Sequence, residues 1–343
     1  MTMKKLAILC ISLLFAAGTA LRAQDEITFS LIPRLDGTLY SYPGDGSEMT
    51  LGASALYSLF EGNLGDFSWS VSNHWLSTDP ASLYRDVTLS TTYTFLDWAY
   101  LAYGIGDFTV TLGKQCVALG GFEYDKYDYE IFDPLASRYW NDASAYQWGG
   151  MLSWAPSENH SFDLQLVSSP TFYMPELRQD ETLVFPTAAY ERKYFAGGDY
   201  GLFLRWYGSM GNFSTIWSLS NATYHNVLGR GNYVDLVLGN QYEAGNWNFT
   251  LDYYYRWGMN YQAMFSVEDR LSDHFALKWK AGFIDGARTD RSYQFGTVLQ
   301  YYPLQDSDNL RIHALCSYGN FYGDTLTVGL GLTWRFDWTL LER

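Results

Sequence analysis

The sequence contains few cysteines, no long apolar segment beyond its first residues, and fewer basic than acidic side chains. Only three of its 343 residues are cysteine, and two of them, Cys116 and Cys316, fall on outward-facing positions of well-separated predicted strands. There is no CxxC pair and no metal-ligand spacing, so we predict neither a disulfide nor a metal site. With 22 basic and 37 acidic residues the net charge is -15, which argues against nucleic acid as a partner.

The one apolar run lies at residues 6–17, directly after Lys4 and Lys5 and before small residues that end near Ala23. This order is typical of a secretory signal peptide, so we predict a cleaved signal at residues 1–23 and a single further domain at residues 24–343. No later apolar run approaches the roughly 20 residues that a spanning helix needs. The mean hydropathy of -0.17 taken alone would indicate a soluble protein.

The aromatic content points the other way. The sequence has 29 tyrosines, 21 phenylalanines and 13 tryptophans, more than a soluble enzyme of this size usually carries. Bands of aromatic side chains at the two interfaces of a membrane would account for this number.

Apolar and polar residues alternate along most of the chain after the signal. In residues 246–257 and again in residues 325–338, aromatic or aliphatic side chains alternate with polar ones or glycine at a period of two. Segments of about ten alternating residues between turn residues are typical of outer-membrane barrels. The predicted fold is all-β: a transmembrane, antiparallel, up-and-down β-barrel of about sixteen strands, with short periplasmic turns and long extracellular loops.

Two details of this barrel are also predicted. Pro33 is expected to interrupt the first strand, because proline cannot donate a ladder hydrogen bond. Tight turns and longer loops are expected to alternate along the whole chain. A soluble β-sandwich is the alternative architecture, but its apolar face would be mainly Val, Ile and Leu with scattered aromatics.

The hairpin at residues 97–155 carries the candidate site. A strand at residues 107–116 enters a long polar loop at 116–144, and a further strand begins at 145. We expect this loop to fold into the lumen, although its charges could instead be solvated outside the membrane. The candidate constriction residues are Glu123, Asp125, Lys126, Asp128, Glu130, Asp133, Arg138 and Asp142.

The polar face of a barrel of about sixteen strands would line an aqueous channel. The candidate lumen-wall residues have inward parity, and they are Arg205, Asp252, Arg256, Lys278, Lys280, Arg311, His313 and Arg335. An acidic loop facing such a basic wall would create a transverse field that orients solutes. Four inward aspartates weaken the basic wall and could pair with neighbouring arginines: Asp163, Asp235, Asp252 and Asp337.

One stretch resembles a known family. Residues 108–115 (FTVTLGKQ) followed by 118–123 (ALGGFE) resemble the outer-membrane porins of the phosphate-selective type, in which a strand ending in Gly-Lys/Arg-Gln enters the long third loop. The resemblance implies a sixteen-stranded diffusion channel, often trimeric, that is narrowed by that loop. Anion-selective members carry arginine ladders and lysine rings, whereas this loop is acidic with Lys126 its lone lysine, so phosphate selectivity is not carried over.

We therefore predict a passive porin for small hydrophilic solutes and ions in the outer membrane of a Gram-negative bacterium, without a cofactor. Predicted partners are outer-membrane lipid and lipopolysaccharide, the solutes, and a homotrimer or another outer-membrane protein. The alternative is a non-channel barrel that acts as an accessory subunit or adhesin. An enzyme is not predicted, because none of the five histidines lies in a recognisable catalytic motif, and no catalytic residue is assigned.

Overall fold

The computed structural model describes residues 25–51, 54–77, 96–142, 145–168, 200–226, 229–287, 289–304, 307–321 and 323–342. The predicted signal peptide at residues 1–23 lies outside these ranges, so its cleavage stays a prediction. Within them, no helix is both long enough and apolar enough to cross a lipid bilayer.

The described residues contain eighteen strands, which hydrogen-bond into one closed antiparallel sheet. They are β1 Glu26–Tyr42, β2 Gly46–Thr50, β3 Ala55–Leu64, β4 Phe67–Ser77, β5 Leu96–Ile105, β6 Phe108–Cys116, β7 Tyr146–Ser157, β8 His160–Ser168, β9 Tyr200–Met210, β10 Phe213–Asn226, β11 Gly229–Ala244, β12 Trp247–Arg256, β13 Asn260–Arg270, β14 Phe275–Gly286, β15 Thr289–Tyr301, β16 Leu310–Gly319, β17 Thr325–Trp334 and β18 Phe336–Glu342. Between β6 and β7 lie two short 3-10 helices, Asp128–Glu130 and Asp133–Leu135, and the α-helix α1, Arg138–Asp142.

The eighteen strands form sixteen positions around the barrel wall. β2 and β3 pair in turn with the two halves of β1 and together occupy one position. β17 and β18 likewise share one position on the other side of β1. β1 therefore closes the ring, and the predicted sixteen-stranded antiparallel barrel is confirmed.

The prediction that Pro33 interrupts the first strand is wrong. β1 runs unbroken from Glu26 to Tyr42. The interruption lies in its neighbour, because the gap between Trp334 and Phe336 is opposite residues 32 and 33 of β1. A proline has no N–H to give to the adjacent strand, so the ladder is broken at this point while β1 itself stays extended.

Side chains alternate between the membrane face and the bore. On β12, Leu251 is 46% exposed on the outside, whereas the next residue, Asp252, is 2% exposed on the inside. Because successive side chains of a strand point to opposite faces, each strand offers the membrane a row of apolar groups and the bore a row of mainly polar ones.

Outward aromatic rings form rows near the tight-turn end of the barrel. Phe108, Trp154, Phe162 and Trp206 stack in sequence across β6 to β9, with centroid separations of 6.3, 5.6 and 6.4 Å. A second row crosses from β17 through β18 to β1. Amphipathic rings at this height are typical of a membrane interface.

The expected alternation of tight turns and longer loops does not extend to the second half of the chain. The connections after β10, β12 and β14 are as short as the turns at the other end: β10 ends at Asn226 and β11 begins at Gly229, and their terminal residues pair. Residues 229–232 belong to β11 and continue its ladder with β10. The segments 78–95 and 169–199 lie outside the described residues.

Candidate functional site

The residues between β6 and β7, described at 117–142 and at 145, lie inside the barrel, and we call them the inner loop. Its backbone turns inward after Cys116, and Ala118, Leu119 and Ser137 are almost completely buried. A loop with so many polar backbone groups can be buried only if the barrel wall supplies hydrogen-bond partners.

The entry of the inner loop is held by inward polar side chains of successive strands. The N–H of Ala118 donates to Gln165 Oε1 on β8 at 2.7 Å, and the N–H of Gly120 donates to Ser218 Oγ on β10 at 2.7 Å. The N–H groups of Phe122 and Glu123 donate to the two carboxylate oxygens of Asp252, each at 2.9 Å. The loop therefore follows the wall from β8 to β12.

Glycine is required where the loop and the wall approach most closely. A Cβ atom added to Gly239 on β11 would lie 2.6 Å from Cα of Gly121. A Cβ atom added to Gly120 would lie 2.7 Å from the carbonyl oxygen of Ile216. Both distances are shorter than real contacts of a Cβ atom, so the backbones can meet only because these side chains are absent.

The returning part of the loop is held by two glutamines and a tyrosine pair. Gln294 Nε2 on β15 donates to the carbonyl oxygens of Leu135 and Ala136 at 3.1 and 3.0 Å. Gln262 Oε1 on β13 accepts the N–H of Tyr139 at 3.1 Å. The Tyr139 ring stacks on Tyr254 of β12, with centroids 4.5 Å apart.

The middle of the loop reaches the opposite side of the ring. Arg311 on β16 donates to the carbonyl oxygen of Tyr129 at 2.8 Å, and the Tyr129 ring lies 5.8 Å from that of Tyr57 on β3. The neighbouring Tyr127 stacks on Trp98 of β5 at 5.6 Å. The loop thus contacts the wall on both sides and crosses the bore.

All eight predicted lumen-wall residues point into the bore. Two of them form ion pairs with inward aspartates of an adjacent strand: Arg205 with Asp163 at 2.8 Å, and Arg256 with Asp235 at 2.9 Å. Lys280 forms an ion pair with Glu123 of the inner loop, which brings the predicted acidic loop and basic wall together at one point.

The remaining wall residues act in different ways. Lys278 pairs with Glu268 at 3.4 Å, and Arg335 pairs with Asp337 at 2.7 Å. Three of the four inward aspartates therefore neutralise arginines, as the sequence suggested. The fourth, Asp252, instead accepts hydrogen bonds from loop N–H groups.

A buried charged cluster on β1 and β16 was missed by the sequence analysis. His313 Nε2 lies 3.1 Å from Asp36 Oδ1, and Arg34 pairs with the same carboxylate. The His313 ring contacts Phe132 of the inner loop edge to face at 4.9 Å. The inward parity of Arg34 and Asp36 on an unbroken β1 was the available signal, and the expected break at Pro33 obscured it.

The predicted constriction residues occupy different environments. Glu123 is buried and bonded to the wall, whereas Asp125 and Lys126 are exposed to the interior of the barrel. The Asp125 carboxyl is partly removed from water by the walls of the bore, and this desolvation raises its pKa. The positive charge of Arg205 acts in the opposite direction. Glu130 and Arg138 are partly exposed. The backbones of Asp128, Asp133 and Asp142 are in helices, and their side chains are outside the described part. A role in constriction stays a prediction.

The residues that hold the loop were also missed. The amide side chains of Gln165, Gln262 and Gln294 are buried. They form hydrogen bonds with backbone groups of the inner loop, as the backbone of a neighbouring strand would. Their inward position on a barrel strand could have been recognised in the sequence. It does not distinguish a side chain that contacts the loop from one that contacts a solute. Among the described residues, no group of three or more His, Cys, Asp or Glu side chains is placed to hold a metal ion.

Comparison with known proteins agrees with this geometry. The family model described as phosphate-selective porin O and P matches residues 60–186, which include the inner loop. No curated protein matches the sequence significantly.

Several solved barrels are similar in structure. A variant of the porin of Rh. blastica has a TM-score of 0.59 and 13% identity, over 90% of this chain and 100% of that one. The outer membrane channel DcaP of Acinetobacter baumannii has a TM-score of 0.58 and 12% identity, over 93% of this chain and 100% of that one. A loop-deletion variant of OmpT, an outer membrane protein of Vibrio cholerae, has a TM-score of 0.53 and 11% identity, over 90% of this chain and 99% of that one.

At these identities the likeness to solved structures concerns the fold, and the family model adds a match in sequence. The chain has the fold of the porin barrels, with sixteen strand positions, and it matches the model of the phosphate-selective porin O and P family over residues 60–186.

Proposed function

We propose that the protein is a passive diffusion channel for small hydrophilic solutes and ions. The observation that carries this proposal is the closed ring of sixteen strand positions, apolar outside and polar inside, with one long loop folded across its bore. A ring of this size leaves room for water, whereas a ring of eight would be filled by side chains.

A weak preference for cations is part of the proposal. Arg205, Arg256 and Arg335 are each neutralised by an aspartate, so the wall is less basic than its sequence suggests. On the side of the barrel formed by β1, β3, β4 and β5, Glu26 and Glu61 line an open recess near the tight turns. Phosphate selectivity is described for the family and is not proposed for this chain.

Single-channel recording tests both points. The purified, folded protein is inserted into planar bilayers, and the reversal potential is measured in a salt gradient. We expect discrete conductance steps and a potential of the sign that denotes cation preference. Folded protein without conductance steps would refute the channel, and a clear anion preference would show that the inward lysines and arginines dominate.

The breadth of the loop contacts favours a second candidate, a non-channel barrel that serves as an accessory subunit or adhesin. Because the inner loop reaches β3 and β5 as well as β8 to β16, it fills part of the bore at its own level. Absent conductance combined with stable co-purification of another membrane protein would support this candidate.

The family and the fold indicate an outer-membrane protein of a Gram-negative bacterium, and both are typical of channels that perform no chemistry. We further propose export by the cleaved signal at residues 1–23 and contact of the aromatic bands with outer-membrane lipid and lipopolysaccharide. Homotrimer formation is proposed from the family resemblance. Crosslinking in intact outer membranes, followed by denaturing electrophoresis, would reveal the trimer.

A further inference from the structure

A recess lies in the bore near the tight turns, on the side of the barrel formed by β1, β3, β4 and β5, and we call it the tight-turn recess. Its volume is about 340 Å³. Small-molecule sites in proteins usually occupy about 300–1,000 Å³. The tight-turn recess is therefore large enough for one compact solute.

The side chains around the recess belong to the inner face of the strands. On β3, Leu59 is 1% exposed inside the barrel and Phe60 is 38% exposed outside it, so the alternation directs Glu61 and Asn63 toward the bore. The other polar side chains of the lining come from β1, β4 and β5, and they are Glu26, Thr28, Ser68, Ser70 and Tyr100. Carboxylate, amide and hydroxyl groups thus surround one space.

The charges of the lining exclude an anion as the occupant. Among the described residues that line the recess, two are acidic, Glu26 and Glu61, and none is basic. Two carboxylates without a cation in the lining repel a negatively charged solute. The occupant is therefore neutral or positively charged.

The neutral groups of the lining favour a neutral solute over a simple cation. The Glu61 carboxylate accepts the hydroxyl of Ser70 at 2.9 Å, and Arg335, between β17 and β18, interacts with it electrostatically, so its charge is partly compensated. The side chains of Thr28, Asn63 and Ser68 form no hydrogen bond within the part of the chain that the structure describes. A simple cation would contact a carboxylate and leave these three groups unused, whereas a solute with several hydroxyls would use all of them.

An aromatic surface borders the polar groups. The Tyr100 ring lines the recess, and Tyr127 of the inner loop, which is 37% exposed, interacts electrostatically with both Tyr100 and Glu61. The face of an aromatic ring is negative and attracts C–H groups. A sugar ring carries hydroxyls around its edge and C–H groups on its faces, so it matches both kinds of surface.

We propose that the tight-turn recess binds a neutral monosaccharide in its ring form, for which glucose is the model. Sugar hydroxyls donate to the carboxylates of Glu26 and Glu61, and one face of the sugar packs on the Tyr100 ring. The amide of Asn63 donates to a further hydroxyl. The proposal rests on the proposed channel function, since it names a class of solute that the bore retains during passage.

Equilibrium binding to the folded protein in detergent tests the site independently of conductance. Saturation-transfer NMR gives dissociation constants for glucose, for glucuronate, which is a sugar ring with a carboxylate, and for choline, which is a cation with one hydroxyl. We expect glucose to bind at least about tenfold more tightly than glucuronate, because the two carboxylates repel the latter. Glucose binding should be equal at about 0.1 M and about 1 M salt, since screening does not act on a neutral ligand.

Variants of two lining residues assign the contacts. Tyr100→Leu should weaken glucose about fivefold, whereas Tyr100→Phe, which keeps the ring, should bind it like the unmodified protein. Glu61→Gln should weaken glucose about fivefold, because a charged acceptor becomes neutral, and should narrow the preference over glucuronate.

Glu243→Gln is the matched control for Glu61→Gln. Glu243 lies at the tight-turn end of β11, is exposed, and does not line the tight-turn recess. This variant should change neither the glucose nor the glucuronate constant. Each variant is first shown to keep the folded band on SDS gels, so that a loss of fold is separated from a loss of binding.

Several results would overturn the proposal. Choline binding that is tighter than glucose binding and is lost at high salt would make the recess a cation site, and equal binding of glucuronate and glucose would reject the role of the carboxylates. No saturable glucose binding, or binding unchanged in both Tyr100→Leu and Glu61→Gln, would remove the site. Conductance without glucose binding would reject this inference alone, whereas glucose binding without conductance would reject the channel alone.

Discussion

The carboxylate of Asp252 is buried in the bore and accepts two consecutive N–H groups of the inner loop. Backbone N–H groups that are removed from water need such a partner, and a carboxylate satisfies two at once. The position looks like a solute contact in the sequence, yet its function in the structure is to hold the loop.

Replacing this carboxylate should loosen the loop. Asp252→Ala leaves two buried N–H groups without a partner, at a cost of about 1–3 kcal/mol each. We expect larger and noisier single-channel currents in planar bilayers. Asp285→Ala removes an aspartate near the end of β14. It is the control and should conduct like the unmodified protein. Identical current noise in both variants would mean that Asp252 does not hold the loop.

Gly239 offers a steric test of the same contact. Gly239→Ala places a methyl group 2.6 Å from Cα of Gly121, so the loop must move away from β11. Gly104→Ala adds the same methyl group on β5, where the nearest atom is 3.8 Å away. We expect a changed conductance and a lower unfolding temperature for the first variant only, and equal effects would contradict the close approach.

At the scale of elements, the barrel and its loop are separable. β6 and β7 pair from Phe108 with Trp154 to Cys116 with Tyr146, without any contribution from the inner loop. The hairpin should therefore form when the loop is shortened.

Replacing residues 122–138 by a short Gly-Ser linker should leave the barrel folded and widen the bore. We expect a conductance increase of severalfold, because the segment that crosses the bore is removed. Retained resistance to unfolding in cold SDS would show that the barrel persists. An unchanged conductance in a folded variant would show that the inner loop does not limit ion flow.

The alternation of apolar and polar residues was sufficient to predict the strands and the barrel, because a period of two determines which face each side chain occupies. It could not predict which inward groups serve the loop. Asp163 and Asp252 have the same parity, but one pairs with Arg205 and the other with backbone N–H groups. That difference depends on the path of the inner loop, and the sequence of this loop has no periodic pattern from which its path could be predicted. The short connection after β10 was missed because glycine and asparagine also occur within paired strands.

At the scale of the whole molecule, the ring is closed by β1, which pairs with β17 over residues 34–41 and with β18 over residues 26–31. The last residues of the chain are part of this closure, since Leu341 and Glu342 are paired with Ile27 and Glu26.

Removing residues 339–343 tests how much of the closure depends on the tail. The truncation removes three paired positions, at Glu26, Ile27 and Thr28, and leaves those with β17 intact. We expect a folded barrel with a moderately lower unfolding temperature, measured by the shift between folded and unfolded bands on SDS gels after heating. A complete loss of the folded band would show that the tail is essential for closure or assembly.

The pairing of the first strand with the last also has a consequence for biosynthesis. The ring cannot close until β17 has met β1, so every intermediate that lacks β17 has two bare sheet edges. Such edges pair readily with other extended chains, so aggregation is a hazard for as long as β1 and β17 have not met.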